Sequence, residues 1–105
     1  MKITNLNDHA NFQKERFGRS VVMSADTAAL FLYSFQPGQA MTDHTHPFSA
    51  EFLTVIEGEA QISIRTETFL AGVNDVVIVP PEAVHSIHNH SKKPLLVASF
   101  MSPKP

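Results

Sequence analysis

The chain contains no cysteine and no tryptophan. Lack of cysteine excludes disulfides and thiolate metal sites, leaving histidine and carboxylate as the strong ligands available for a cation. No apolar run approaches membrane-spanning length. The N-terminus, Met1-Lys-Ile-Thr-Asn-Leu-Asn-Asp-His9, has no stretch able to act as a signal peptide. Nor is there an excess of one charge, since 8 basic residues face 10 acidic ones for a formal charge of -2. Lys92-Lys93 is the only adjacent basic pair, so neither nucleic acid nor an anionic membrane is an expected partner. These absences together point to a soluble, cytoplasmic protein.

What is present suits one small core. A chain of 105 residues, 43% hydrophobic and 17% charged, is near the modal domain size and too apolar for disorder. Residues 1–105 are therefore expected to form one domain, with 1–20 as an N-terminal segment. The pattern is one of short strands. Val21-Val22-Met23 is a candidate. Ala28 to Phe35 is a better one, with Phe31, Tyr33 and Phe35 on one face and Leu30 and Leu32 on the other. Gln36-Pro37-Gly38 reads as a turn. Phe52 to Ile56 is a strand ending at Glu57-Gly58-Glu59, which reads as a hairpin turn. Ala60, Ile62 and Ile64 alternate with polar residues, as in a strand with one wet face. Val76 to Val79 reads as a buried strand stopped by Pro80-Pro81. A short strand carries His85 and Ile87, and Leu95 to Met101 closes the series. Residues 5–17 can hold a helical turn capped by Asn7 or Asp8. Eight or so short strands predict an all-β sandwich or barrel.

The chemistry concentrates between Gly38 and Gly58. Residues i and i+2 of a strand share a face, so His44 and His46 are expected to point together. Both imidazoles can then reach one metal at roughly 2.0–2.2 Å. Glu51 has the wrong parity for that strand. Pro47 lacks an amide hydrogen, and a turn at Pro47-Phe48-Ser49 brings Glu51 round on the next strand, beside Leu53 and Val55. A buried carboxylate among apolar side chains calls for a cation. An isolated His-x-His pair is more often an ordinary surface or core pair, so the site depends on its company.

That company resembles a known family. Gly38, His44, His46, Glu51 and Gly58 fit the first motif of the cupins, G-x5-H-x-H-x3-4-E-x6-G, across residues 38–58. The second motif, G-x5-P-x-G-x2-H-x3-N, is matched across 74–89 at Pro80, His85 and Asn89. Its glycine positions fall on Asn74, which tolerates a left-handed turn, and on Glu82, a departure that leaves the shape of the Pro81–Val84 turn open. The resemblance implies a single-domain cupin jelly-roll β-barrel of short antiparallel strands. It also implies that His44, His46, Glu51 and His85 surround one metal in the barrel mouth. Three imidazoles and a carboxylate suit Mn, Fe, Ni, Cu or Zn better than Mg or Ca.

The implied function is a metal-dependent enzyme acting on a small organic molecule, dioxygenase-like or sugar- and uronate-processing. Glu51 would serve as ligand or as proton acceptor. The alternative is a non-catalytic module that binds or senses a small ligand. Parity sends His88 and His90 outward, and His9 reads as solvated. Met41 and Phe48 flank the ligands, with packing as their expected role. Phe31, Tyr33 and Phe35 read as barrel packing or a subunit contact. Open strand edges and that apolar face predict a homodimer.

Overall fold

A computed structural model describes residues 3–105. Met1 and Lys2, the start of the segment read for a signal peptide, lie outside the described residues. Among the described residues there are nine strands: β1 Gly18–Ser24, β2 Ala29–Phe35, β3 Ala40–His44, β4 Ala50–Glu57, β5 Ala60–Ile64, β6 Glu67–Ala71, β7 Val76–Val79, β8 His85–His88 and β9 Leu95–Ser102. They form a five-stranded sheet, β1-β2-β9-β4-β7, and a four-stranded sheet, β3-β8-β5-β6. Every neighbouring pair within the sheets is antiparallel. No helix among the described residues is long and apolar enough to cross a membrane.

Period-2 alternation builds the core. Phe31, Tyr33, Phe35, Leu53, Val55 and Val97 point inward from the larger sheet and meet Met41, Ala60, Ile62 and Ile87 from the smaller one. Phe31, Tyr33 and Phe35 are thus interior and leave nothing for a partner subunit to cover. Their predicted role as barrel packing holds, and the predicted subunit contact through them does not. The opposite face of β2 supplies Leu32, which packs with Leu96 and Ala98 under Leu6, Val22, Leu30 and Ile56. Leu6 begins a 3-10 turn, Leu6–His9, the only helical piece among the described residues. Its cap is Asn5, whose side chain accepts from the Asn7 amide at 2.9 Å, rather than Asn7 or Asp8.

Three further expectations change. Val76–Val79 is not buried on both faces, since Val76 and Ile78 are 65% and 55% exposed. β7 is an edge strand, and nothing among the described residues covers its outer side. Second, Glu57-Gly58-Glu59 is not a hairpin turn, because β4 and β5 lie in different sheets. The segment is a crossing between them, and Gly58 sits there at φ 86°. Third, β6 carried no clear sequence signal. It pairs with β5 across Arg65-Thr66, a two-residue turn led by Arg65 at φ 54° with no Gly or Asn to announce it.

Candidate metal centre

The two sheets meet at the four predicted ligands. His44 ends β3 and pairs in register with His85, the first residue of β8. Glu51 enters from β4 in the other sheet. His46 lies beyond the end of β3, so uninterrupted strand parity does not bring it to His44. A bend at Pro47-Phe48 does, and the Glu82 amide donates to the His46 carbonyl at 2.9 Å to hold the segment. One ligand atom from each of His44, His46, Glu51 and His85 falls within 4.8 Å of the others. Ring centroids are 4.0 Å apart for His44 and His85 and 5.0 Å for His44 and His46.

Hydrogen bonding fixes which ring nitrogens face inward. Nδ1 of His44 lies 2.9 Å from the Thr42 carbonyl, and Nδ1 of His85 lies 2.9 Å from the Ala83 carbonyl. A carbonyl only accepts, so each Nδ1 carries the hydrogen, and in the neutral ring each Nε2 turns a lone pair to the centre. Glu51 is similarly oriented. Ser99 donates to its Oε2, leaving Oε1 at 2.9 Å from His85 Nε2 and 3.6 Å from His46 Nε2. These three inward atoms are buried without an aligned hydrogen bond. The 2.9 Å contact is therefore a charge contact rather than a good hydrogen bond, and with neutral imidazoles it sets lone pairs against each other. Orphaned, convergent, lone-pair-bearing atoms of nitrogen and oxygen are what a transition-metal cation satisfies, and the residues fit such an ion.

The electrostatics agree. Burial alone raises a carboxyl, yet the His85 and Ser99 contacts overcome it and hold Glu51 below the usual carboxylate range. Burial works against charge on His85, but the Glu51 carboxylate and the Ala83 carbonyl outweigh it and lift His85 above an ordinary imidazole. For His46 burial wins, aided by the neighbouring His44, His85 and Arg19, and its value falls. Burial and the nearby Glu51 push the Tyr33 hydroxyl up to about 12, so it stays a neutral donor.

The second-motif turn keeps its backbone shape despite its sequence. Asn74 and Glu82 adopt φ 73° and 69°, so both motif-glycine positions are left-handed. Asn89 is fully buried and donates to the Phe35 and Lys93 carbonyls, while its backbone pairs with Gly38 and Gln39. It clamps the two motif regions together and does not touch the centre. His88 and His90 stack at 3.7 Å, half-buried and exposed, outside the cluster. His9 meets Thr4 instead. Met41 packs as expected, but Phe48 is 81% exposed because the Pro47 bend turns it to solvent.

Residues 31–101 match the cupin domain family. The chain belongs to the cupin family. This cupin is 26% identical over 83 residues to polyketide synthase CurC of Streptomyces cyaneus, covering 79% of the chain and 54% of that protein. It is 31% identical over 67 residues to tetracenomycin polyketide synthase protein TcmJ of Streptomyces glaucescens, covering 64% and 45%. The chain thus spans about half the length of these curated relatives. The TT1209 protein from Thermus thermophilus superposes over all of both chains with a TM-score of 0.96 at 28% identity.

Beside His44 and His46 this cupin has a pocket of about 340 Å³ that also takes in Phe17, Arg19, Tyr33 and Met41. Sequence reasoning missed Ser99, Arg19 and Phe17. Ser99 had a readable signal, a hydroxyl at the inward parity of Leu95, Val97 and Met101. Phe17 and Arg19 had none, because they precede the motifs and reach the pocket only through the pairing of β1 with β2.

Proposed function

We propose that this cupin is a metal-dependent enzyme acting on a small organic molecule, with His44, His46, Glu51 and His85 holding one Mn, Fe, Ni, Cu or Zn ion. The observation that carries it is the set of orphaned inward atoms of His46, Glu51 and His85, of which His46, with His44, also lines a pocket. Held by three imidazoles and a carboxylate, a divalent ion would keep a net charge of about +1 and would supply Lewis-acid or dioxygen chemistry there. The chain's own part is orientation and proton handling. The Thr42 and Ala83 carbonyls fix two imidazoles, and Ser99 holds Glu51 so that Oε1 faces the centre. That oxygen would take a proton only on loosening from the ion. Phe17 and Met41 exclude water from the pocket wall. The polyketide synthase names of two relatives support a small organic substrate; the chemistry proposed for it is dioxygenase-like or sugar- and uronate-processing. Residues 1–105 would act as one domain in the cytoplasm.

Metal-loaded protein screened against flavonols, diketones and unsaturated uronates is expected to convert at least one. A ligand recovered unchanged after prolonged incubation would favour the second reading, a binding or sensing module. What supports that reading is the pocket wall beside His44 and His46, where Phe17, Ala40 and Met41 are apolar and offer no acid or base beyond the ligands.

The pH dependence of loading has a definite sign. In the metal-free protein His85 is raised by its carboxylate neighbour, so a proton on Nε2 must leave before a cation enters. Apparent affinity is expected to rise about tenfold per pH unit until the raised value of His85 is passed, then flatten. Calorimetry in two buffers of different ionisation enthalpy should find about one proton released per ion. No proton release at about pH 6, below the raised value of His85, would contradict this.

The homodimer belongs on the outer face of the larger sheet. Leu30, Phe100, Phe52 and Ile78 stand in register across β2, β9, β4 and β7, with Met23 beside Leu30 on β1. Phe52 and Phe100 are each 42% exposed, and the one charged residue at an outward position of those four strands is Glu57, opposite Leu96 at the far end of β4 from Phe52. A stripe of this kind matches itself under a two-fold axis. Light scattering is expected to give twice the chain mass at micromolar concentration, and half that value after Phe52→Glu with Phe100→Glu. A monomeric wild type would exclude this interface.

A further inference from the structure

Arg19 has a place that the metal centre does not explain. It stands opposite Tyr33 in the β1–β2 pairing, and its guanidinium carbon lies 4.2 Å from the centre of the Phe31 ring. Among the described residues no carboxylate lies within ion-pair distance of it, since the ion pairs found involve only His46, His85 and Glu51. Yet it lines the same pocket as His44 and His46. The other non-histidine walls there, including Phe17, Tyr33 and Met41, are uncharged. An unpaired arginine at the mouth of a pocket lined otherwise by neutral side chains is complementary to an anion.

We propose that Arg19 is the specificity residue of this pocket and receives the carboxylate of a small acid whose second oxygen donor faces His44 and His46. The inference rests on the pocket being the substrate site of the proposed enzyme. The ring of Phe31 occupies one face of the guanidinium and the Tyr33 hydroxyl meets part of its N–H edge, which leaves the remaining donors of that edge for a ligand. A planar edge of two donors matches a carboxylate, which can accept both at once. Tyr33 adds a neutral hydroxyl close by. A phosphate dianion would ask for more cations than this pocket has. Phe17 shapes the body of the ligand. It stacks on Phe35 with centroids 5.2 Å apart and meets Tyr33 edge-on at 6.1 Å, so it is a fixed aromatic wall. A volume of about 340 Å³ is at the small end for ligand pockets. The class that results is an aryl or unsaturated acid with a hydroxyl or oxo group next to the carboxyl.

The test is calorimetric titration with mandelate, mandelamide and phenyl phosphate, on wild type, Arg19→Met and Arg19→Lys, with metal content measured on each sample. Mandelate is expected to bind wild type at least about tenfold more tightly than mandelamide. Arg19→Met should remove that preference while leaving metal content and mandelamide affinity unchanged. Arg19→Lys should keep part of it, since the charge remains and the fork does not. The proposal is overturned by no mandelate binding at millimolar concentration, by equal loss for acid and amide, or by tighter binding of phenyl phosphate. A sample without metal that still shows the Arg19-dependent preference supports this inference while the metal reading fails, so the two outcomes separate.

Discussion

Replacing Glu51 with glutamine is expected to lower transition-metal affinity by at least about 100-fold, more than the loss typical of an outer-shell partner. Glutamine keeps the size of the side chain and can still accept from Ser99. What it removes is the one negative charge among the four ligands and the strongest donor to the cation. The effect can be read without any substrate. A ligand present at about 100 times its Kd stabilises the folded state by about 2.7 kcal/mol, which for a chain this small raises the melting temperature by roughly 10–20 °C. Wild type should show that rise on adding metal and lose it on adding a chelator. Glu51→Gln should show neither change at the same metal concentration. Equal shifts in both proteins would mean that the stabilising ion sits elsewhere.

The second large effect concerns the crossing between the sheets. Gly58 and Gly38 have nearly the same left-handed backbone, at φ 86° and 84°. They differ in the space around them. A Cβ on Gly58 would lie 2.4 Å from the Pro94 carbonyl oxygen, whereas one on Gly38 would meet nothing within 4 Å. Gly38→Ala therefore carries only the conformational cost, about 1–2 kcal/mol. Gly58→Ala adds an overpacking cost against backbone that cannot swing away, for a total of about 2–5 kcal/mol. Urea unfolding of both variants measures the difference. Equal losses would show that the β8–β9 loop yields, and that the crossing is looser than its geometry.

Alternation made much of the fold legible. Phe31, Tyr33 and Phe35 opposite Leu30 and Leu32 gave β2 both of its faces, and Ala60, Ile62 and Ile64 gave β5. The strand that eluded reading, β6, begins Glu67-Thr68 after a turn without glycine. β7 keeps the bounds expected of it, but it is all apolar, so its wet outer face left no trace in the pattern. The hairpin assigned to Glu57-Gly58-Glu59 failed for another reason: a tight glycine turn looks alike whether the chain folds back or crosses to a facing sheet. Only pairing decides that.

The candidate site was more legible than the route to it. His44, His46, Glu51 and His85 come together as the family resemblance implied, but His46 reaches the cluster through the Pro47 bend and the Glu82 amide instead of strand parity. Glu82 shows how a motif can lose its residue and keep its geometry, since its φ of 69° preserves the left-handed turn. Arg19 and Phe17 stayed hidden because their meaning depends on β1 lying beside β2, a long-range fact with no local mark.

The central claim is that four side chains from two sheets hold one transition-metal ion. Elemental analysis of tag-free protein, dialysed after purification, tests it most directly when set beside His85→Ala. The expected result is about one ion per wild-type chain and a small fraction of that in the folded variant. A wild type that takes up no stoichiometric metal, or a His85→Ala protein that retains all of it, would contradict the claim.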